Sequence, residues 1–124
     1  MEAMPLRSVE LLESRAALDA FLAASELEPV LLFKHSRTCG SSVEALDEVQ
    51  AYVERDDRAL RVGMVVVQSH RDLSTDVSQR FAVRHETPQV LLVRGGEVAW
   101  HASHFRVRGA TIAAAIETAL ARPA

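Results

Sequence analysis

Apolar residues recur at helical spacing near the start of the chain, where Leu11, Leu18, Phe21 and Leu22 share one face of a predicted helix with Ser8 or Ser14 as its cap. Glu28-Pro29 stops that helix, and Val30-Leu31-Leu32-Phe33 follows as a short apolar strand. A second helical period opens after residue 39. Val43, Leu46, Val49 and Val53 repeat among Glu44, Asp47, Glu48 and Glu54, which turns the acidic residues outward. Leu60 to Val67 is instead β-branched and almost wholly apolar, the pattern of a central strand covered on both faces. Asp72 is placed to cap a short helix whose Leu73, Val77 and Phe81 share a face. Two extended runs, Gln89 to Arg94 and Glu97 to His101, flank Gly95-Gly96, and such a pair predicts a hairpin because primed turns need the positive φ that glycine adopts cheaply. Thr111 to Ala121 closes the chain as a helix with Ile112, Ile116, Ala119 and Leu120 in a narrow stripe.

The resulting order is helix, strand, helix, strand, helix, hairpin, helix. Helix-length crossovers make the early strands parallel and the final pair antiparallel, so the expected fold is α/β, with a central mixed sheet of four to five strands flanked by helices on both faces. At 124 residues, 48% hydrophobic and 25% charged, the chain is long enough for one packed domain and too short for two, so residues 1–124 are expected to form a single domain. A formal charge of −3 and the lack of a Lys/Arg block argue against a nucleic-acid partner. Met1 to Pro5 has neither a basic start nor an apolar stretch, and the longest strongly apolar run, Met64 to Val67, is far too short to span a bilayer. No membrane partner is expected, and the expected location is the cytoplasm.

Chemistry concentrates on Cys39, the only cysteine in the chain. It lies where the first apolar strand runs through Lys34-His35-Ser36-Arg37-Thr38 into a predicted helix start at Cys39-Gly40-Ser41-Ser42. A thiol there meets unpaired backbone N–H groups and the positive end of the macrodipole, which favour the thiolate and take cysteine pKa values from about 8.5 into a range of roughly 3.5 to 7.5. Lys34, His35 and Arg37 are expected to add positive potential. A lone cysteine is otherwise a small buried hydrophobe, but this position favours the reactive reading. Any disulfide it forms must be intermolecular and transient, as a reducing compartment permits. The five histidines do not predict a metal site, since His101 and His104 flank a strand end with no second cysteine or carboxylate at ligand spacing. Trp100 is expected in the core.

Three features then fall into line: Cys39 at a strand-to-helix turn, Thr87-Pro88 directly before a strand, and the hairpin behind it. Together they resemble the active site of the thioredoxin superfamily. The segments Phe33 to Cys39, Ser42, His70 to Ser74, Val83 to Gln89 and Trp100 to His104 are similar, more narrowly, to those of the monothiol bacilliredoxins. The resemblance implies a cis bond at Thr87-Pro88, a catalytic Cys39, and a thiol environment made by His35, Arg37, Thr38, Gly40 and Ser42. It also implies a substrate-binding surface at His85, Thr87, Pro88 and Gln89. The family activity would be removal of bacillithiol from protein mixed disulfides, with bacillithiol as exchanging thiol and no tightly bound cofactor. Its partners would be bacillithiolated client proteins, a second low-molecular-weight thiol and a reductase.

Ser42 stands where a dithiol relative would carry its resolving cysteine, and its hydroxyl is expected either to donate to the thiolate or to satisfy first-turn backbone groups. Phe33 replaces the buried acid of thioredoxins. Gly40 departs from the family pattern, which has proline there. Arg37, Arg84 or Gln89 are candidates for holding a carboxylate of a thiol cofactor, with solvated surface charge as the alternative for the arginines. Two other functions compete. Cys-Gly-Ser-Ser is one residue from the Cys-Gly-Phe-Ser site of monothiol glutaredoxins, which carry an iron-sulfur cluster, and a thioredoxin-fold domain can also bind without catalysis.

Overall fold

The computed structural model describes residues 9–55 and 59–121. A two-residue strand, β1 (Glu10–Leu11), precedes helix α1 (Arg15–Ala23), whose Ser14 cap accepts a 3.0 Å hydrogen bond from the Ala17 amide. Ser8, the other candidate cap, lies outside the described residues. Strand β2 (Val30–His35), helix α2 (Gly40–Arg55), strand β3 (Arg61–Val66) and helix α3 (Arg71–Phe81) follow. The hairpin β4 (Gln89–Arg94) and β5 (Glu97–Ser103), a 3₁₀ turn at His104–Arg106 and helix α4 (Gly109–Ala121) complete the order.

The sheet runs β1-β3-β2-β4-β5, parallel among the first three strands and antiparallel from β2 through β4 to β5. Strand alternation separates two cores. Leu31 and Phe33 face α2 and α4 with Val49, Tyr52, Ile112 and Ile116, whereas Val30 and Leu32 face α1 and α3 with Leu18, Phe21, Leu73 and Val77. Gly63 on β3 lets α1 approach closely, because a Cβ there would lie 2.7 Å from Leu12 Cδ1 and 2.9 Å from the Phe21 ring. Gly95 and Gly96 have φ of +59° and +78°, the primed turn expected of the hairpin.

Several side chains depart from the sequence pattern. Leu11 is not on α1; it pairs with Met64 at the sheet edge and is 55% exposed. The buried face of α2 is Ser42, Ala45, Val49, Tyr52 and Val53, which leaves Val43 outside, because the helix sits about one position round from the face that Val43 and Leu46 define. Leu120 is likewise exposed at the end of α4. The N-cap of α3 is His70; Asp72 stands in the first turn, where its charge complements the macrodipole. Trp100 is partly buried and packs against the core beneath α2 and α4.

Candidate active site

The turn from β2 to α2 presents the sulfur. The Cys39 carbonyl accepts the first helical bonds, from Ser42 N–H at 3.0 Å and Val43 N–H at 3.1 Å, which makes Cys39 the N-cap of α2. Its side chain is partly exposed, and Sγ lies 3.0 Å from the Ser41 hydroxyl. The Ser41 hydroxyl, followed by the Ser42 and Ser41 amides, holds the thiol pKa below its ordinary value, with partial desolvation opposing them. The donors are neutral ones, which stabilise the thiolate where it forms without tying up a countercharge.

Ser42, expected at the sulfur, is fully buried and turned the other way. Its hydroxyl accepts from the Ser36 amide at 2.9 Å and lies 2.9 Å from His35 Nδ1, so it fastens the end of β2 to the first turn of α2. A position one residue away round the helix, Ser41, supplies the sulfur's hydroxyl. Sequence reasoning passed over Ser41, although its place at the second helical position was the available signal.

The cations also stand apart from the sulfur. Arg37 donates its guanidinium to Ser69 Oγ at 2.7 Å and its amide to Gln68 Oε1 at 3.1 Å. Gln68 in turn donates to Ser36 Oγ and Thr38 Oγ1, tying the whole turn to the β3–α3 connection. His35 is buried beneath α2, and that burial holds its imidazole below the usual range, with Arg37 adding to the effect and a hydrogen bond to Ser42 opposing it. It is therefore neutral near pH 7. Lys34 points to the opposite face of the sheet and is fully buried. The activation expected from these three cations thus passes to backbone amides and Ser41.

Beside this turn lies the segment before β4. The Thr87–Pro88 bond is cis, and pairing of Lys34 with Gln89 brings Pro88 level with the end of β2. The Pro88 carbonyl accepts from the His104 amide at 2.8 Å, and His104 Nε2 lies 3.6 Å from the Glu86 carboxylate. The Ser103 hydroxyl is the main reason that the Glu86 carboxyl is held below its usual range, with His104 and Arg84 adding to it. Gln89 is only 1% exposed and donates to the Arg84 carbonyl at 3.0 Å, so it braces the loop from within and is not free to hold a ligand carboxylate at the surface. His85 turns its Nδ1 inward, 3.2 Å from both Lys34 Nζ and Ser74 Oγ. Gly40 lies at the first position of α2, where an added Cβ meets nothing within 4 Å. Among the described residues no group of three or more His, Cys, Asp or Glu side chains converges on one point, and no helix is long and apolar enough to cross a membrane.

A family model described as Monothiol bacilliredoxin BrxC matches residues 10–112. The chain belongs to the monothiol bacilliredoxin family. Among solved structures, it is similar to a candidate oxidoreductase with a thioredoxin fold, at 29% identity and a TM-score of 0.76, over 87% of this chain and 93% of that one. Thioredoxin from Trypanosoma brucei brucei superposes with a TM-score of 0.77 at 11% identity, covering 98% and 99% of the two chains, and a poplar thioredoxin h mutant with 0.76 at 17%, covering 99% and 92%. The fold is therefore thioredoxin-like, as the element order implies. As a monothiol bacilliredoxin, the chain is a redox protein of thiol–disulfide exchange, chemistry that proceeds through a mixed disulfide and needs only one attacking thiolate.

Proposed function

We propose that Cys39 removes bacillithiol from mixed disulfides on client proteins. The Cys39 thiolate attacks the bacillithiol sulfur; the client–bacillithiol S–S bond breaks as a Cys39–bacillithiol bond forms, and the client leaves as a thiolate that takes a proton from solvent. The thiolate of a second low-molecular-weight thiol, or of a reductase, then attacks the bacillithiol sulfur of the adduct; a disulfide between that thiol and bacillithiol forms as the Cys39–bacillithiol bond breaks, and Cys39 leaves as its thiolate. Bacillithiol is a substrate in this cycle and no resident cofactor is needed. The observation that carries the reading is a lone thiol at a helix N-cap, 3.0 Å from a serine hydroxyl, while the residue at the resolving position is a buried serine.

Within this scheme Ser41 and the first amides of α2 stabilise the attacking sulfur. Gly40 leaves the approach to the sulfur open. His35, Ser42, Arg37 and Thr38 hold the turn in shape through one another and Gln68. Thr87, partly exposed and set by the cis bond to a buried Pro88, forms the surface on which the client chain docks, and the exposed His85 stands at its edge. The test is a rate comparison with one client protein carrying bacillithiol on one sample and glutathione on another. The expected result is faster release of the bacillithiolated client, with Cys39→Ser inactive on both. Equal rates for the two adducts would remove the bacillithiol assignment and leave a general thiol exchanger.

A further inference from the structure

Lys34 is a fully buried lysine with no place in the exchange chemistry described above. None of the ion pairs among the described residues includes it. Its ammonium donates instead to Ser78 Oγ at 2.7 Å and to His85 Nδ1 at 3.2 Å. Across the β2–β4 ladder its register partner is Gln89, and Gln89 Oε1 is a buried acceptor with no hydrogen-bond partner. An ammonium can only donate, so a nitrogen that receives its proton must be bare. Neutral His85 therefore carries its own proton on Nε2, the edge of the ring away from Lys34. His85 is exposed overall and stands two residues before Thr87.

We infer that Lys34 is a positioning residue that acts through His85, fixing the imidazole as the Nε2–H tautomer and so presenting a hydrogen-bond donor beside Thr87 to an acceptor of the incoming mixed disulfide. This rests on the docking role of the Thr87–Pro88 surface. The groups facing His85 are Lys34 from β2, Ser74 from α3 and Glu86 from its own loop, while Ser78 of α3 faces Lys34; burial and Lys34 disfavour the imidazolium, and Glu86 favours it. Burial lowers the Lys34 pKa to about 8, so the imposed donor pattern holds at neutral pH. Above that pH a neutral amine accepts as well as donates, and the tautomer is no longer fixed.

The test is steady-state exchange with a bacillithiolated client across pH 6.5 to 9.5, together with the ¹⁵N spectrum of His85. For the wild type, His85 Nδ1 should be unprotonated at pH 7 and the client KM should rise through about pH 8. Lys34→Met should raise KM at pH 7 by on the order of ten-fold with kcat little changed, as loss of one hydrogen bond expressed in binding predicts, and should lack the alkaline step. In a His85→Ala background Lys34→Met should add nothing further, whereas a purely structural lysine would still exact its cost there. A protonated Nδ1 at pH 7 in the wild type, or additive effects of the two substitutions, overturns the inference even if Lys34→Met folds poorly. Thr87→Arg separates the two layers. If it raises KM and Lys34→Met does not, this inference fails and the docking surface stands; if neither raises KM, both fail.

Discussion

Replacing Ser42 with alanine tests whether that hydroxyl is a structural tie or a partner of the sulfur. Its oxygen is fully buried and joins two groups that are themselves nearly sealed: the amide of Ser36, 9% exposed, and the ring of His35, 5% exposed. Alanine removes the partner of the Ser36 amide and of His35 Nδ1, while the hydrogen bond between His35 and the Ser42 backbone remains. A buried donor or acceptor stripped of its partner costs about 1–3 kcal/mol, so two of them give roughly 2–4 kcal/mol after modest relaxation. For a chain of this length that corresponds to a fall in Tm of roughly 10 °C. Urea unfolding followed by far-UV circular dichroism measures the free-energy change directly. The bacillithiol adduct should still form on Cys39 of the folded variant, since Ser41 and the helix amides remain at the sulfur. A stability change below about 0.5 kcal/mol, within the range of an ordinary surface substitution, would refute the reasoning. So would a variant of full stability whose thiol no longer reacts.

Other perturbations reach different parts of the same site. Ser41→Ala should move the midpoint of iodoacetamide alkylation against pH upward, toward an ordinary cysteine, because the largest influence lowering the Cys39 pKa is removed; an unchanged midpoint would assign the activation to the backbone alone. Gly40→Pro should stabilise the protein by about 0.4–1 kcal/mol in urea titrations, since proline suits the first helical position and an added Cβ there meets nothing within 4 Å. Between about pH 8 and 10.5 the unfolded chain keeps a proton on Lys34 that the folded chain has released, so this group's contribution to stability rises with pH. At about 1.4 kcal/mol per pKa unit, wild-type stability should gain up to about 3 kcal/mol relative to Lys34→Met across that window, and a constant difference would mean that Lys34 titrates normally.

Those features of the fold that are repeated along the chain were open to sequence reasoning. The hairpin announces itself through Gly95-Gly96 between two extended runs, and the β2–α2 turn through the break between Phe33 and the helical period that starts at Val43. What escaped depends on single rotations or on distant partners. Whether Ser41 or Ser42 reaches the sulfur turns on one step of about 100° round the helix, which spacing alone does not resolve. Strand β1 is two residues long and exists only because Leu12 N–H and its neighbours pair with β3 near Met64, some fifty residues away in sequence. Lys34 reads as the polar end of a strand. Its burial is created by Ser78, Ser74 and His85, which arrive from α3 and the following loop. Gln89, too, looks available in sequence and is sealed by Arg84 and Ser103.

In the proposed exchange the small thiol, and not the client, ends on Cys39. Intact-mass analysis of both chains after a single turnover, quenched in acid, reads this in one step. The expected spectrum has the client lighter by one bacillithiol and this protein heavier by the same mass, with Cys39→Ser leaving both chains as they began. A covalent complex of the two proteins as the accumulating product, or an unmodified Cys39 beside an untouched client, would contradict it.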